Sequence, residues 1–190
     1  MNYPSAIKKN KTQVITYGNR GMDLEGLLNE SNQYYLFNDI ALIYKKPTDI
    51  GIAKVNYQNS QKRIQDGYFK SPSTLDYNGI YREKYIEFEA KETKSTTAFP
   101  LKNVHEHQIV HLRKVIEHGG IAFLIIKIAS EYYLLKGTDF LAFLENNERK
   151  SIPLSYLKEN GYAMKEQIDP PLDYLKIVDK IYFGGHENEK

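Results

Sequence analysis

Eight residues in the second half of the chain, Ile121 to Ile128, form a run that is apolar except for Lys127. It is far shorter than the roughly 18 residues a membrane span needs. A short, nearly continuous apolar run of this kind reads as a strand covered on both faces. Such a strand needs neighbours beside it and helices above and below. The rest of the chain supplies both. Leu24, Leu27 and Leu28, with Tyr35, follow helical spacing from Gly21 onward, and Asp23 and Glu25 stand near the start, where the helix dipole favours negative charge. A strand is expected at Ile40 to Tyr44. Lys84 to Lys91 alternates cleanly, with Ile86, Phe88 and Ala90 on one side and Glu87, Glu89 and Lys91 on the other. Asn78-Gly79 is a tight-turn signal and predicts a hairpin from Thr74 to Lys91. A helix follows, with Asn103 as its expected N-cap, Val104, Gln108, Leu112 and Val115 along one stripe, and Gly119-Gly120 at its end. Tyr132 to Leu135 reads as the hairpin partner of the apolar strand. Phe140 to Leu144 and Tyr156 to Asn160 read as short helices, and a last helix is expected from Leu172, beyond Pro170-Pro171. Helix, strands, helix, strands, helices is an α/β order around a mixed sheet.

A chain of 190 residues suits one domain. Residues 1–17 read as a flexible basic arm, 18–183 as the single domain, and 184–190 as a polar tail. An insertion at about 48–70, basic and aromatic and rich in β-branched residues, is expected to protrude. There are no cysteines, which excludes a disulfide scaffold, a thiolate zinc site and a cysteine nucleophile. Net charge is only +2. It is unevenly spread: residues 1–72 carry ten basic and six acidic side chains, +4, and the remainder sixteen and eighteen, −2. Lys8, Lys9 and Lys11 are followed by no apolar stretch, so they are not a signal peptide. A soluble, cytoplasmic protein with no membrane association is expected.

Chemistry concentrates on Asp76, Glu89 and Lys91. Glu89 and Lys91 share a strand face, and a hairpin can bring Asp76 to them. Two converging carboxylates make a hard oxygen site suited to Mg²⁺. Without a cation they repel, and one pKa rises. The plainer reading of such a face is solvated Glu and Lys. Against it, the opposite face is wholly apolar, and the polar face continues in register through Thr74. His107 and His111 are four apart on one helix but lack a nearby third ligand, so they read as exposed polar residues. Ser151 and Ser155 read as caps or turns. No glycine-rich phosphate loop is present.

Asp76 followed by Glu89-Ala90-Lys91 resembles the metal-nuclease core called PD-(D/E)XK. The wider text is more specific. Asn19-Arg20-Gly21-Met22, Lys45-Lys46-Pro47, Asp76-Tyr77-Asn78-Gly79, Phe88 to Thr93, Phe99-Pro100-Leu101, His105-Glu106-His107-Gln108 and Leu172 to Lys176 resemble the RecU Holliday-junction resolvases. The resemblance implies a restriction-endonuclease-like mixed sheet flanked by helices, with 48–70 as the family's stalk. It implies Mg²⁺, with Mn²⁺ as a substitute, held by Thr74, Asp76, Glu89 and Gln108. It implies Lys91 as the lysine that stabilises the transition state, and Glu25 as an acidic position supporting the site. It also implies a homodimer that places paired symmetric nicks in four-way junctions during recombination and repair, and that acts with RecA and the RuvAB machine. Lys8, Lys9, Lys11, Arg20, Lys54, Lys62 and Arg63 are expected to engage phosphates, and Tyr68 or Phe69 to stack on bases.

Two departures stand out. Leu75 occupies a position where the family commonly has Thr, and alternation turns it from the metal positions. Gln58 to Gln65 matches the stalk poorly and lacks an expected Pro-x-Arg stretch. The competing readings are a related nuclease acting on linear, flapped or mismatched DNA, and a DNA- and recombinase-binding modulator whose catalysis is weak or absent.

Overall fold

The structure is a computed structural model and describes residues 22–47, 50–58, 61–69 and 74–184. Lys8, Lys9, Lys11 and Arg20 of the expected arm and first motif, and the tail from 185, lie outside the described residues. Among the described residues, ten strands, five α-helices and a 3₁₀ turn (Leu101–Asn103) follow in chain order: α1 (Leu24–Phe37), β1 (Leu42–Lys45), β2 (Ile50–Gln58), β3 (Gln61–Phe69), β4 (Tyr77–Tyr81), β5 (Lys84–Glu92), β6 (Ala98–Pro100), α2 (Glu106–Glu117), β7 (Ile121–Ile128), β8 (Glu131–Lys136), α3 (Gly137–Asn146), β9 (Ser151–Pro153), α4 (Leu154–Asn160), β10 (Tyr162–Met164) and α5 (Tyr174–Tyr182).

Six strands form one sheet in the order β1-β4-β5-β7-β8-β10. Its pairs are antiparallel except β5 with β7, so the sheet is mixed, and α2 is the crossover between the two parallel strands. The apolar run is β7, in the interior of this sheet. Alternation along it feeds two cores. Phe123 and Ile125 join Ile86, Phe88 and Tyr77 under α1 and α5. Ala122, Leu124 and Ile126 join Leu112, Val115, Phe140 and Leu157 under α2, α3 and α4. Tyr77, Phe88 and Phe123 stack across three neighbouring strands at centroid spacings of 4.8 Å, which ties the hairpin to the buried strand.

Several boundaries differ from the sequence expectation. Asp23 caps α1, accepting from the Gly26 amide at 2.8 Å, so the helix begins at Leu24 rather than Gly21. The hairpin does not turn at Asn78-Gly79. Those residues lie inside β4, and the chain reverses at Arg82-Glu83, with φ of 46° and 62°. Glycine stands at 79 because β1 passes against it: a Cβ there would lie 2.0 Å from the Leu42 carbonyl oxygen. Asn103 does not cap α2. It closes a 3₁₀ turn over Leu101–Asn103, and His105 is the N-cap. The segment around Leu75 is not in a strand, so simple alternation does not apply. Leu75 is fully buried in the core on the α2 side.

The expected insertion is a separate antiparallel pair, β2 with β3, outside the six-stranded sheet. Ile50, Ile52, Ile64 and Tyr68 on it are exposed. Gly51 accommodates the Tyr68 ring, since a Cβ there would lie 2.6 Å from it. Among the described residues, no helix is long and apolar enough to cross a membrane.

Candidate nuclease site

Register builds the site. Tyr77 pairs with Phe88, so Asp76, one residue earlier, falls opposite Glu89. Backbone amides hold both carboxylates. The Asp76 amide donates to Glu89 Oε2 at 3.1 Å, and the Ala90 amide donates to Asp76 Oδ2 at 3.3 Å. Glu89 is completely buried, and two further donors reach its Oε1: Gln108 Nε2 at 2.6 Å and Lys91 Nζ at 2.5 Å. Gln108 is itself held, because its Oε1 accepts from the His105 amide at 3.0 Å. The cap of α2 therefore orients the side chain that meets Glu89.

Burial, and then the Asp76 charge, push Glu89 up to about 7, with Lys91 pulling the other way. The sign follows from proton counting. A carboxyl that ordinarily titrates near 4.5 and here near 7 binds more protons folded than unfolded between those values. Its contribution to stability is full below pH 4.5 and is lost as pH rises through 7. Without divalent ions, wild type should lose on the order of 3 kcal/mol relative to Glu89→Gln between pH 4.5 and 7, at about 1.4 kcal/mol per pH unit. Urea melts of the two proteins across that range measure it. A difference independent of pH would show that Glu89 does not carry the strain.

The remaining expected residues divide. Glu25 sits on a cleft beside this pair, with Asp23, Lys45, Asp76 and Glu92 around it, and forms an ion pair with Lys45. Thr74 does not join Glu89. Its hydroxyl donates to Glu87 Oε1 at 3.2 Å and accepts from Lys46. Lys54 and Tyr68 are exposed on the β2–β3 hairpin, while Lys62, Arg63 and Phe69 belong to β3 by register. His111 is not a plain exposed residue, because its Nε2 meets Glu87 Oε2 at 2.9 Å.

Glu87 is what the sequence reading missed. Like Glu89, it is completely buried. Lys46, Thr74, Tyr85 and His111 surround it. Burial opposes its ionisation, but hydrogen bonds from Lys46, Tyr85 and His111 outweigh that and hold it below the usual carboxylate range. Two signals were available: Glu87 shares the strand parity of Glu89, and His111 lies three residues from Gln108 on the same helix.

The family described as Recombination protein U, RecU, matches residues 19–180. This chain belongs to the RecU family. The Holliday junction resolvase RecU of Bacillus pumilus is 50% identical over 185 residues, covering 95% of this chain and 90% of that one. The Holliday junction resolvase RecU of Pediococcus pentosaceus is 48% identical over 194 residues, covering 95% and 96%. Among solved structures, Hjc of Archaeoglobus fulgidus, a Holliday junction resolvase, aligns over 67% of this chain and 86% of its own, with 14% identity and a TM-score of 0.40. The RecU match spans both the Asp76–Glu89–Lys91 group and the β2–β3 hairpin.

Proposed function

We propose that this protein is a Mg²⁺-dependent Holliday junction resolvase, working as a homodimer on four-way DNA in the cytoplasm. The observation that carries it is the Asp76–Glu89 pair, held by the Asp76 and Ala90 amides with Lys91 against it, in a chain that belongs to the RecU family.

The donor set fits a divalent cation. Two carboxylates meet, Asp76 on the lining of a cleft and Glu89 buried behind it, and one of them is pushed towards neutrality partly by the other, a conflict that a cation relieves. Asp76 and Glu89 would hold Mg²⁺, or Mn²⁺ in its place. Thr74, whose hydroxyl is held by Lys46 and Glu87, and Gln108, whose oxygen accepts from the His105 amide, belong to the set only by the family resemblance. When bound, the ion supplies charge neutralisation at the phosphate and an acidified water. Lys91 offers its ammonium to charge that builds on the phosphate as the P–O bond breaks. Gln108 and the Asp76 amide keep Glu89 in one orientation. Glu25 bears on the same cleft from α1.

Symmetric nicking needs two sites at a fixed spacing, which a two-fold dimer provides. Leu42, Ile80 and Tyr85 lie in one cross-strand row over β1, β4 and β5, all exposed, at an edge of the sheet. That exposed row is the surface a second copy would cover. The family resemblance adds RecA and the RuvAB machine as partners.

The test is a gel assay with Mg²⁺ that sets a fixed four-way junction beside a linear duplex of the same sequence. Paired symmetric nicks in the junction alone are expected. Equal cutting of the duplex would favour a linear-duplex nuclease, and tight junction binding without cutting a modulator. Replacing residues 50–66 with a short linker is expected to lower junction affinity about tenfold, through lost phosphate and stacking contacts. The rise in melting temperature on adding Mg²⁺ should stay unchanged. Junction affinity unaltered by that deletion would remove the hairpin from the binding surface.

A further inference from the structure

Glu87 has no part in the reading above. A carboxylate with no exposure survives in a sheet only when donors surround it, and here they come from four places in the chain. Lys46 follows β1, Thr74 precedes β4, Tyr85 lies on β5, and His111 lies on α2. Three features tie this cluster to cleavage.

The first is its place. Glu87 and Glu89 are two residues apart on one face of β5, about 7 Å along a strand. That is of the order of the separation between consecutive phosphates on a DNA strand. The second is shared support, since α2 reaches both carboxylates, Gln108 to Glu89 and His111 to Glu87. The third is Lys46 itself. Its backbone amide donates to the Asp76 carbonyl at 2.8 Å, so it is bound to the segment carrying the first carboxylate. Its side chain keeps 19% of its surface exposed. An ammonium has three N–H donors. Glu87 and Thr74 take two, which leaves one for a phosphate oxygen.

We infer that Glu87 is a positioning residue for strand cleavage: it holds the Lys46 ammonium beside the Asp76–Glu89 pair, where Lys46 takes the phosphate adjoining the scissile one. This rests on the nuclease reading above. An untethered lysine would spread over many rotamers and lose that orientation. Anchoring a flanking phosphate sets where the scissile phosphate lies in the cleft.

The test compares wild type, Glu87→Gln, Lys46→Met and the double variant. It uses single-turnover junction cleavage with Mg²⁺ at saturating protein, gel-shift affinity without Mg²⁺, and thermal melts. Each single variant should cut about tenfold more slowly. Affinity should change much less, because one phosphate contact among many is lost. The double variant should cut no more slowly than the worse single, because both remove the same contact. A purely structural Glu87 would lower the melting temperature while folded protein still cut at the wild-type rate. That result overturns the inference, and so do effects that multiply in the double variant. Should Glu87→Gln fail to fold, Lys46→Met decides, since it leaves Glu87 with Thr74, Tyr85 and His111. Folded Lys46→Met cutting at the wild-type rate overturns the inference equally. Wild type that leaves the junction whole would instead defeat the nuclease reading itself, whereas wild type and Glu87→Gln cutting alike would defeat this inference alone.

Discussion

Asp76→Asn is expected to slow Mg²⁺-supported junction cleavage at least about a thousandfold while leaving junction affinity within about threefold of wild type. The substitution is nearly isosteric. Its amide oxygen can still accept from the Ala90 amide, and the Asp76 backbone amide still donates to Glu89. What is lost is one negative charge on the lining of the cleft. That charge is one reason Glu89 titrates so high. Removing it relieves a repulsion, so the variant without divalent ions should melt no lower than wild type at pH 8. Activity and stability are therefore expected to part, as befits a site whose like charges are held together by the surrounding fold. The rise in melting temperature on adding Mg²⁺ should also shrink. Cleavage retained by Asp76→Asn would remove Asp76 from the site.

Gly79→Ala carries the largest expected effect on stability. A Cβ at 79 would sit 2.0 Å from the Leu42 carbonyl oxygen and 2.6 Å from the Ile43 Cα. These are backbone atoms of the paired strand, so no rotamer change relieves the clash, and β1 must lift away from β4. Overpacking of this severity costs about 3 kcal/mol or more, a fall of about 10 °C in melting temperature for a chain of this size. The damage would reach the site as well. Lys45 ends β1 and pairs with Glu25, and Lys46 follows it to Glu87 and the Asp76 carbonyl. A variant that melts within 1 °C of wild type would mean that β1 does not lie against Gly79.

Asn78-Gly79 shows why a local signal misleads here. The pair is a strong hairpin turn in isolation, whereas Arg82-Glu83 has no compositional mark of one. Yet the site itself requires the later turn. Residues 76 and 89 face each other only if the chain reverses midway between them, at 82 and 83, which is where both φ angles are positive. The glycine answers a neighbouring strand that lies more than thirty residues away in sequence, and no window around 79 contains it.

What the sequence determined by itself were periodic and textual properties. The apolar run of β7, the alternation of β5, the stripe of α2 and the residues Asp76, Glu89 and Lys91 could be read along the chain, because spacing decides which side chains share a face, whereas Gln108 entered as a site residue only through the family resemblance. Alternation cannot say what covers that face. Glu87 and Glu89 have the pattern of solvated strand residues, and both are completely buried because α2 and the segments bearing Lys46 and Thr74 pack over them. That cover comes from positions between 13 and 41 residues distant from Glu87. Burial then decides the chemistry: it pushes Glu89 up to about 7, and it makes Glu87 depend on hydrogen bonds from Lys46, Tyr85 and His111 for its charge. Electrostatics in a buried site depends on distance in space and exclusion of water, and both are set only when separate segments close over one strand.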